Sequence, residues 1–172
     1  MNLPNKLTIG RVILVPVFVF LYLKGETPAA LAVFLAASFT DYLDGYLARK
    51  HHLITNFGKI MDPLADKVLV YSAFSCMVEN GIVPSWMLIV ILAREFTVAG
   101  MRTVAASEGI VIAAGTTGKI KTVLQMIAVP LLILNSPDWL ASAASLFLWA
   151  SVIMTVVSGA EYIYKNRNIF NL

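Results

Sequence analysis

Six apolar runs follow one another along the chain, each close to the roughly 20 residues that carry a helix across a bilayer. They cover residues 7–23, 29–48, 59–78, 85–106, 119–134 and 140–162. Gly25 and Pro28 punctuate the chain after the first run. Asn80, Gly81 and Pro84 follow the third, and Asn135, Ser136 and Pro137 follow the fifth. Gly109, Gly115 and Gly118 loosen the link between the fourth and fifth. Composition points the same way. Hydrophobic residues make up 59% of the 172, charged residues only 13%, and the mean hydropathy is +0.79. A soluble domain carries about a quarter charged residues. It also leaves about 30% of its unfolded-chain area in water, more than so apolar a chain can cover with polar groups. Low charge excludes disorder, and the solitary Cys76 excludes a disulfide scaffold. The pI of 9.1 rests on a net charge of only +3 with scattered bases, so nucleic acid is not an expected partner. The runs are continuous rather than alternating, which argues against a β-barrel. The expectation is an all-α membrane protein of one domain, residues 1–172, with six transmembrane helices. A short amphipathic helix over residues 2–11 is expected to lie along the inner surface before the first span.

Charge asymmetry orients such a bundle. With the N-terminus inside, every Lys and Arg except Lys24 falls on the inner side. A cleaved signal peptide fits poorly, because the A-x-A site after the first run, Ala30-Leu31-Ala32, lies inside the second run.

Ionisable residues inside a span are costly and mark function. Asp41 and Asp44 lie in the second run, Asp62 and Asp66 near the start of the third. Positions i and i+3, or i and i+4, share a helix face. A connection of ten residues between antiparallel neighbours lets both pairs aim at one point. Four converging carboxylates need cations to stay ionised. A hard divalent metal, Mg²⁺, Mn²⁺ or Ca²⁺, suits oxygen ligands best. Zinc suits the chain poorly, since Cys76 is solitary and His51 and His52 are adjacent. Interhelical pairing with Arg and Lys is the structural alternative, and four acids are too many for it. Gly45 and Gly58 beside the acids allow a ligand close to the backbone, although Gly45 also suits close helix packing.

Written out, the stretch reads Asp41-x-x-Asp44-Gly45-x-x-Ala48-Arg49, eight residues, Gly58-x-x-x-Asp62-x-x-x-Asp66. It resembles the signature of the CDP-alcohol phosphotransferases at every fixed position and in the length of the spacer. That family moves a substituted phosphate from a CDP-linked donor to an alcohol and releases CMP. The resemblance implies a site of one or two Mg²⁺ or Mn²⁺ ions held by Asp41, Asp44, Asp62 and Asp66. It implies that Asp41, Asp44, Gly45, Ala48, Arg49 and Gly58 hold the CDP moiety. It also implies that Asp66 is the base for the attacking hydroxyl, a metal-only role being the competing assignment.

Acids within spans favour a lipid donor, CDP-diacylglycerol, whose tails stay among the membrane lipids. Arg94 and Arg102 in the fourth run, with Lys119 and Lys121 opening the fifth, suit an acceptor that carries its own phosphate. Glycerol 3-phosphate is the simplest such acceptor. Two bland readings stand beside this one. Arg94 could pair with Glu95, although successive helix positions do not face each other. Lys119 and Lys121 could simply anchor at headgroups. The segments around 61–67, 94–102 and 119–122 look most like the branch of the family that phosphatidylates glycerol 3-phosphate. By that likeness Asn5, Thr8 and Arg11 join the acceptor set. The resemblance further implies a homodimer in a bacterial plasma membrane, with the site facing the cytoplasm. The same chemistry on phosphatidylglycerol, serine or an inositol phosphate is the nearest rival. A divalent-cation transporter is a distant one, opposed by the clustering of the acids near one side of the membrane.

Overall fold

The computed structural model describes residues 3–50, 56–113, 115–134 and 137–170, with the side chains of 3, 4, 6, 41–50, 56, 57, 59, 60, 169 and 170 outside that description. The described residues form helices joined by short turns: α1 (Leu3–Leu23), α2 (Thr27–Lys50), α3 (Asn56–Glu79), α4 (Ser85–Ser107), α5 (Thr116–Leu134) and α6 (Asp138–Asn166), closed by a 3-10 turn at Arg167–Phe170. Each helix falls on one apolar run. Two differences stand out. The surface-lying first segment expected over residues 2–11 is not a separate element, because α1 runs unbroken from Leu3. The reason lies in Asn5, Thr8 and Arg11, which share one face of α1 and are buried against the bundle. Second, α2 extends to Lys50 and α3 begins at Asn56, so the connection is shorter than the ten residues expected.

Helix ends follow local chemistry. Gly25, Gly81 and Gly109 take φ of 80°, 70° and 76°, a conformation that costs other L-residues dearly. After α1, the Gly25 N–H donates to Tyr22 O and the Glu26 N–H to Leu21 O. After α3, Gly81 and Ile82 do the same to Val78 and Met77. These paired bonds satisfy carbonyls a helix terminus would leave bare. Pro84 and Pro137 immediately precede α4 and α6.

The core has two joined halves. In one, α1 packs on α2 and α3, with Phe18, Phe34, Phe74 and Met77 fully enclosed. Phe18 lies 5.9 Å from both Phe34 and Tyr22, ring centre to ring centre. In the other, α6 packs along α5 and across α4. Its buried face reads Ala144, Leu148, Ser151, Val152, Thr155, Ser158 and Tyr162, and the small ones among them, Ala144, Ser151, Thr155 and Ser158, let helices approach closely without a hydrophobic drive. Outward, large apolar side chains stand exposed all round, among them Ile13, Phe20, Phe39, Ile89, Phe96 and Leu146. Patches of this extent call for a lipid surround rather than water. By length and composition α5 and α6 can each cross a membrane, and shorter apolar helical stretches lie at Leu7–Leu23 and Thr27–Thr40. The rings of Trp86 in α4 and Trp149 in α6 lie 5.6 Å apart, tilted by 56°, and Trp139 at the start of α6 is exposed.

Candidate active site

The signature residues lie on two neighbouring helices. Asp41, Asp44, Gly45, Ala48 and Arg49 fall in the last turns of α2, and their side chains lie outside the described residues. Gly58, Asp62 and Asp66 fall in the first turns of α3, which packs on α2. Gly58 is buried, and Asp62 and Asp66 are partly exposed. Thr8 of α1 donates its hydroxyl to Asp62 Oδ1. That bond explains a fully buried threonine near the start of an apolar helix, since a buried hydroxyl needs a partner. Pro63 within α3 removes one backbone donor just after Asp62.

Beside the acids lies a cavity of about 830 Å³ between α4, α5 and α6, closed at one side by the loop before α5. Lys67, Arg94, Arg102, Lys119 and Lys165 line it, against only Glu95 and Glu161 of opposite sign. Cations in a concave, partly apolar wall focus their field on an anion. Arg102 is held by Tyr162, its Nε donating to the phenol oxygen at 3.2 Å and its guanidinium lying 5.5 Å from the ring centre.

Glu95 organises the inner wall. Its Oε1 accepts from Lys121 Nζ at 2.6 Å and from Arg94 Nη1 at 2.7 Å, and its Oε2 lies 3.1 Å from Lys67 Nζ. Lys121 is 2% exposed and Glu95 7%, so this pair is desolvated, with Arg94 beside it and Lys67 at the open edge of the cluster. Such a cluster holds only because every partner is present.

The expected acceptor set therefore divides. Arg94, Arg102 and Lys119 line the cavity. Lys121 points inward onto Glu95 and does not line it. Asn5, Thr8 and Arg11 are buried on α1, where Thr8 serves Asp62, and do not reach the cavity wall. The Arg94–Glu95 pair does form, because the long arginine arm bends back where the backbone positions diverge. It does not remove Arg94 from the cavity. The cysteine and histidine arguments against zinc are untouched: Cys76 is buried in α3, and His51 and His52 lie outside the described residues.

Sequence reasoning missed Glu95 as a hub, Lys67 as its partner and Tyr162 as the seat of Arg102. Glu95 carried a signal, as an acid within an apolar helix. Tyr162 carried none, since only folding brings it beside Arg102. Gly118 was expected to loosen a link, but it lies in the first turn of α5 against Arg94, its ideal Cβ position 3.1 Å from Nη2.

Together these features describe a membrane-embedded helical protein with an acid-bearing helix pair beside a cation-lined chamber. The chain belongs to the CDP-alcohol phosphatidyltransferase family, whose model matches residues 1–157. It is 48% identical to the CDP-diacylglycerol–glycerol-3-phosphate 3-phosphatidyltransferase of Bacillus subtilis, over 96% of this chain and 95% of that one. It is 36% identical to the protein of the same name in Rickettsia typhi, over 98% and 99%. It is 37% identical to a probable phosphatidylglycerophosphate synthase of Mycobacterium tuberculosis, over 95% and 81%.

Proposed function

We propose that the protein transfers a phosphatidyl group from CDP-diacylglycerol to sn-glycerol 3-phosphate, giving phosphatidylglycerophosphate and CMP in phospholipid synthesis. The observation that carries this reading is the excess of cations in the chamber beside the signature aspartates, Arg94, Arg102 and Lys119 above all. A phosphorylated acceptor matches that charge, and a forked guanidinium matches a phosphate's oxygens. Serine would leave the cations largely unmatched.

The donor's pyrophosphate belongs at the α2–α3 acids, with Gly45, Ala48, Arg49 and Gly58 around the CDP moiety. Asp62 and Asp66 supply hard oxygen donors one helical turn apart on α3, a donor set that fits Mg²⁺ or Mn²⁺. Asp41 and Asp44 would complete the set. When bound, the metal neutralises charge that develops on the departing CMP. The residues do the rest. Arg94 and Arg102 fix the acceptor by its phosphate, so that its free hydroxyl faces the phosphorus attached to diacylglycerol. Asp66 takes the proton as that oxygen–phosphorus bond forms. The bridging oxygen leaves with CMP. Thr8 holds Asp62, and so acts on the acids rather than on the acceptor.

The reading includes six spans, a homodimer and a bacterial plasma membrane, with the chamber on the cytoplasmic side. The bias of Lys and Arg toward one end of the bundle supports that orientation. The test is CMP release from CDP-diacylglycerol by purified protein, with and without Mg²⁺, across a panel of acceptors. Glycerol 3-phosphate is expected to drive release far above serine, phosphatidylglycerol or inositol phosphate. A chelator is expected to abolish it and added Mg²⁺ or Mn²⁺ to restore it. Release driven best by another acceptor would overturn the assignment.

A further inference from the structure

We infer that Gly118 of α5 and Gly159 of α6 are positioning residues: their missing side chains open a slot for the Arg94 side chain, and Glu95 fastens its tip, so the guanidinium is set at the chamber wall for the acceptor's phosphate. This rests on the reading that the chamber takes a phosphorylated acceptor.

Three observations converge. A Cβ on Gly159 would stand 3.0 Å from Arg94 Cγ and 3.9 Å from its Cβ. A Cβ on Gly118 would stand 3.1 Å from Nη2. Apart from Arg94, neither position meets any atom within 4 Å beyond its own neighbourhood in the helix. The two glycines therefore make room for this side chain, not for a neighbouring helix backbone. By contrast, a Cβ on Gly10 or Gly100, also in helices, would meet nothing.

The slot cannot give easily. Near Gly159 the obstructed atom is Cγ, which shifts only by a change of χ1 that would carry the guanidinium off Glu95, or by movement of α4 itself. Near Gly118 it is the tip, which is free to swing in principle. However, Nη1 of the same planar guanidinium is bound to Glu95 at 2.7 Å, so Nη2 cannot move without breaking that bond. Glu95 is fixed in turn by Lys121 and Lys67. The Nε of Arg94 is buried with no acceptor among the described residues, so the slot and Glu95 alone hold the guanidinium in place. Arg94 is thus held at root, tip and partner before the acceptor arrives, and preorganisation of this kind improves binding by reducing what must be ordered.

The test uses the full chain, purified in lipid–detergent micelles, with G118A, G159A and the control G100A. KM for glycerol 3-phosphate is expected to rise about tenfold in G118A and G159A, as mild overpacking of a fixed group would give. KM for CDP-diacylglycerol is expected to stay near wild type and the unfolding temperature to fall by only about 2–4 °C, and G100A to match wild type in every respect. Built into R94A, neither glycine substitution should add a further rise, because the group it obstructs is gone. Should G159A fail to fold, G118A decides alone. Equal rises in both KM values, or effects that add in the R94A background, would overturn the inference. Wild-type activity with glycerol 3-phosphate and no shift in either glycine variant would sink the inference alone. Absence of wild-type activity with that acceptor would sink the reading beneath it.

Discussion

Glu95 is the residue that ties the inner wall of the chamber together. It is one carboxylate facing Lys67, Arg94 and Lys121. Glu95→Gln leaves Lys121 and Arg94 without their counter-charge in a largely buried place, and removing one partner of a buried pair costs roughly 3 kcal/mol. The expected outcome is a markedly lower unfolding temperature together with loss of acceptor affinity. Adding Lys121→Met to that variant should recover part of the stability, since the most buried ammonium then disappears. A Glu95→Gln protein as stable as wild type would refute the hub. Asp66 is a different case, because its proposed work is chemical. Asp66→Asn is expected to lower kcat by about 10²- to 10⁴-fold with metal still bound, the range for a general base. Turnover near wild type would leave it a ligand only.

Among the helices, α1 does more than pack against its neighbours. Its polar face, Asn5, Thr8 and Arg11, is buried, and Thr8 ties it to Asp62 on α3. Thr8→Val keeps the shape and removes the donor. It is expected to cost about 1–2 kcal/mol in stability and to weaken metal binding, seen as a higher Mg²⁺ requirement in the CMP assay. An unchanged Mg²⁺ titration would show that Asp62 needs no help from α1. The turns between helices are set by backbone conformation. At Gly25, φ is +80° and a Cβ would meet no atom, so strain and not crowding decides its tolerance. Gly25→Ala is therefore expected to cost about 1 kcal/mol, read as a modest fall in unfolding temperature with activity retained. A fall in activity at full stability would place function in that turn.

At the scale of the molecule, the two ends differ. The chamber end gathers Lys67, Arg94, Arg102, Lys119 and Lys165, whereas the other end carries Lys24 and the tryptophans. The proposed orientation predicts that, in intact cells, K24C reacts with a membrane-impermeant thiol reagent and K165C does not. The buried Cys76 provides little background. The opposite pattern would invert the bundle and move the chamber to the outside. The cavity also owes its existence to helix order. Because α6 packs on both α5 and α4 while those two scarcely touch each other, space is left between them, and that space is the chamber.

The chain by itself determined its helices, their ends and its family. Apolar runs of spanning length admit no other regular structure in lipid, and positive-φ glycines stop helices wherever they fall. The fixed spacing of the signature identified Asp62 and Asp66 as neighbours on one face of α3, because helical periodicity alone brings positions four apart together. Partners across helices were not legible. No spacing relates Tyr162 to Arg102, or Gly118 and Gly159 to Arg94, since those contacts depend on how α6 lies against α4 and α5. Nor could sequence divide the expected phosphate-binding set into residues that line the chamber and Thr8, which instead holds an acid. Periodicity is a property of one helix, while a site between helices is decided by their packing.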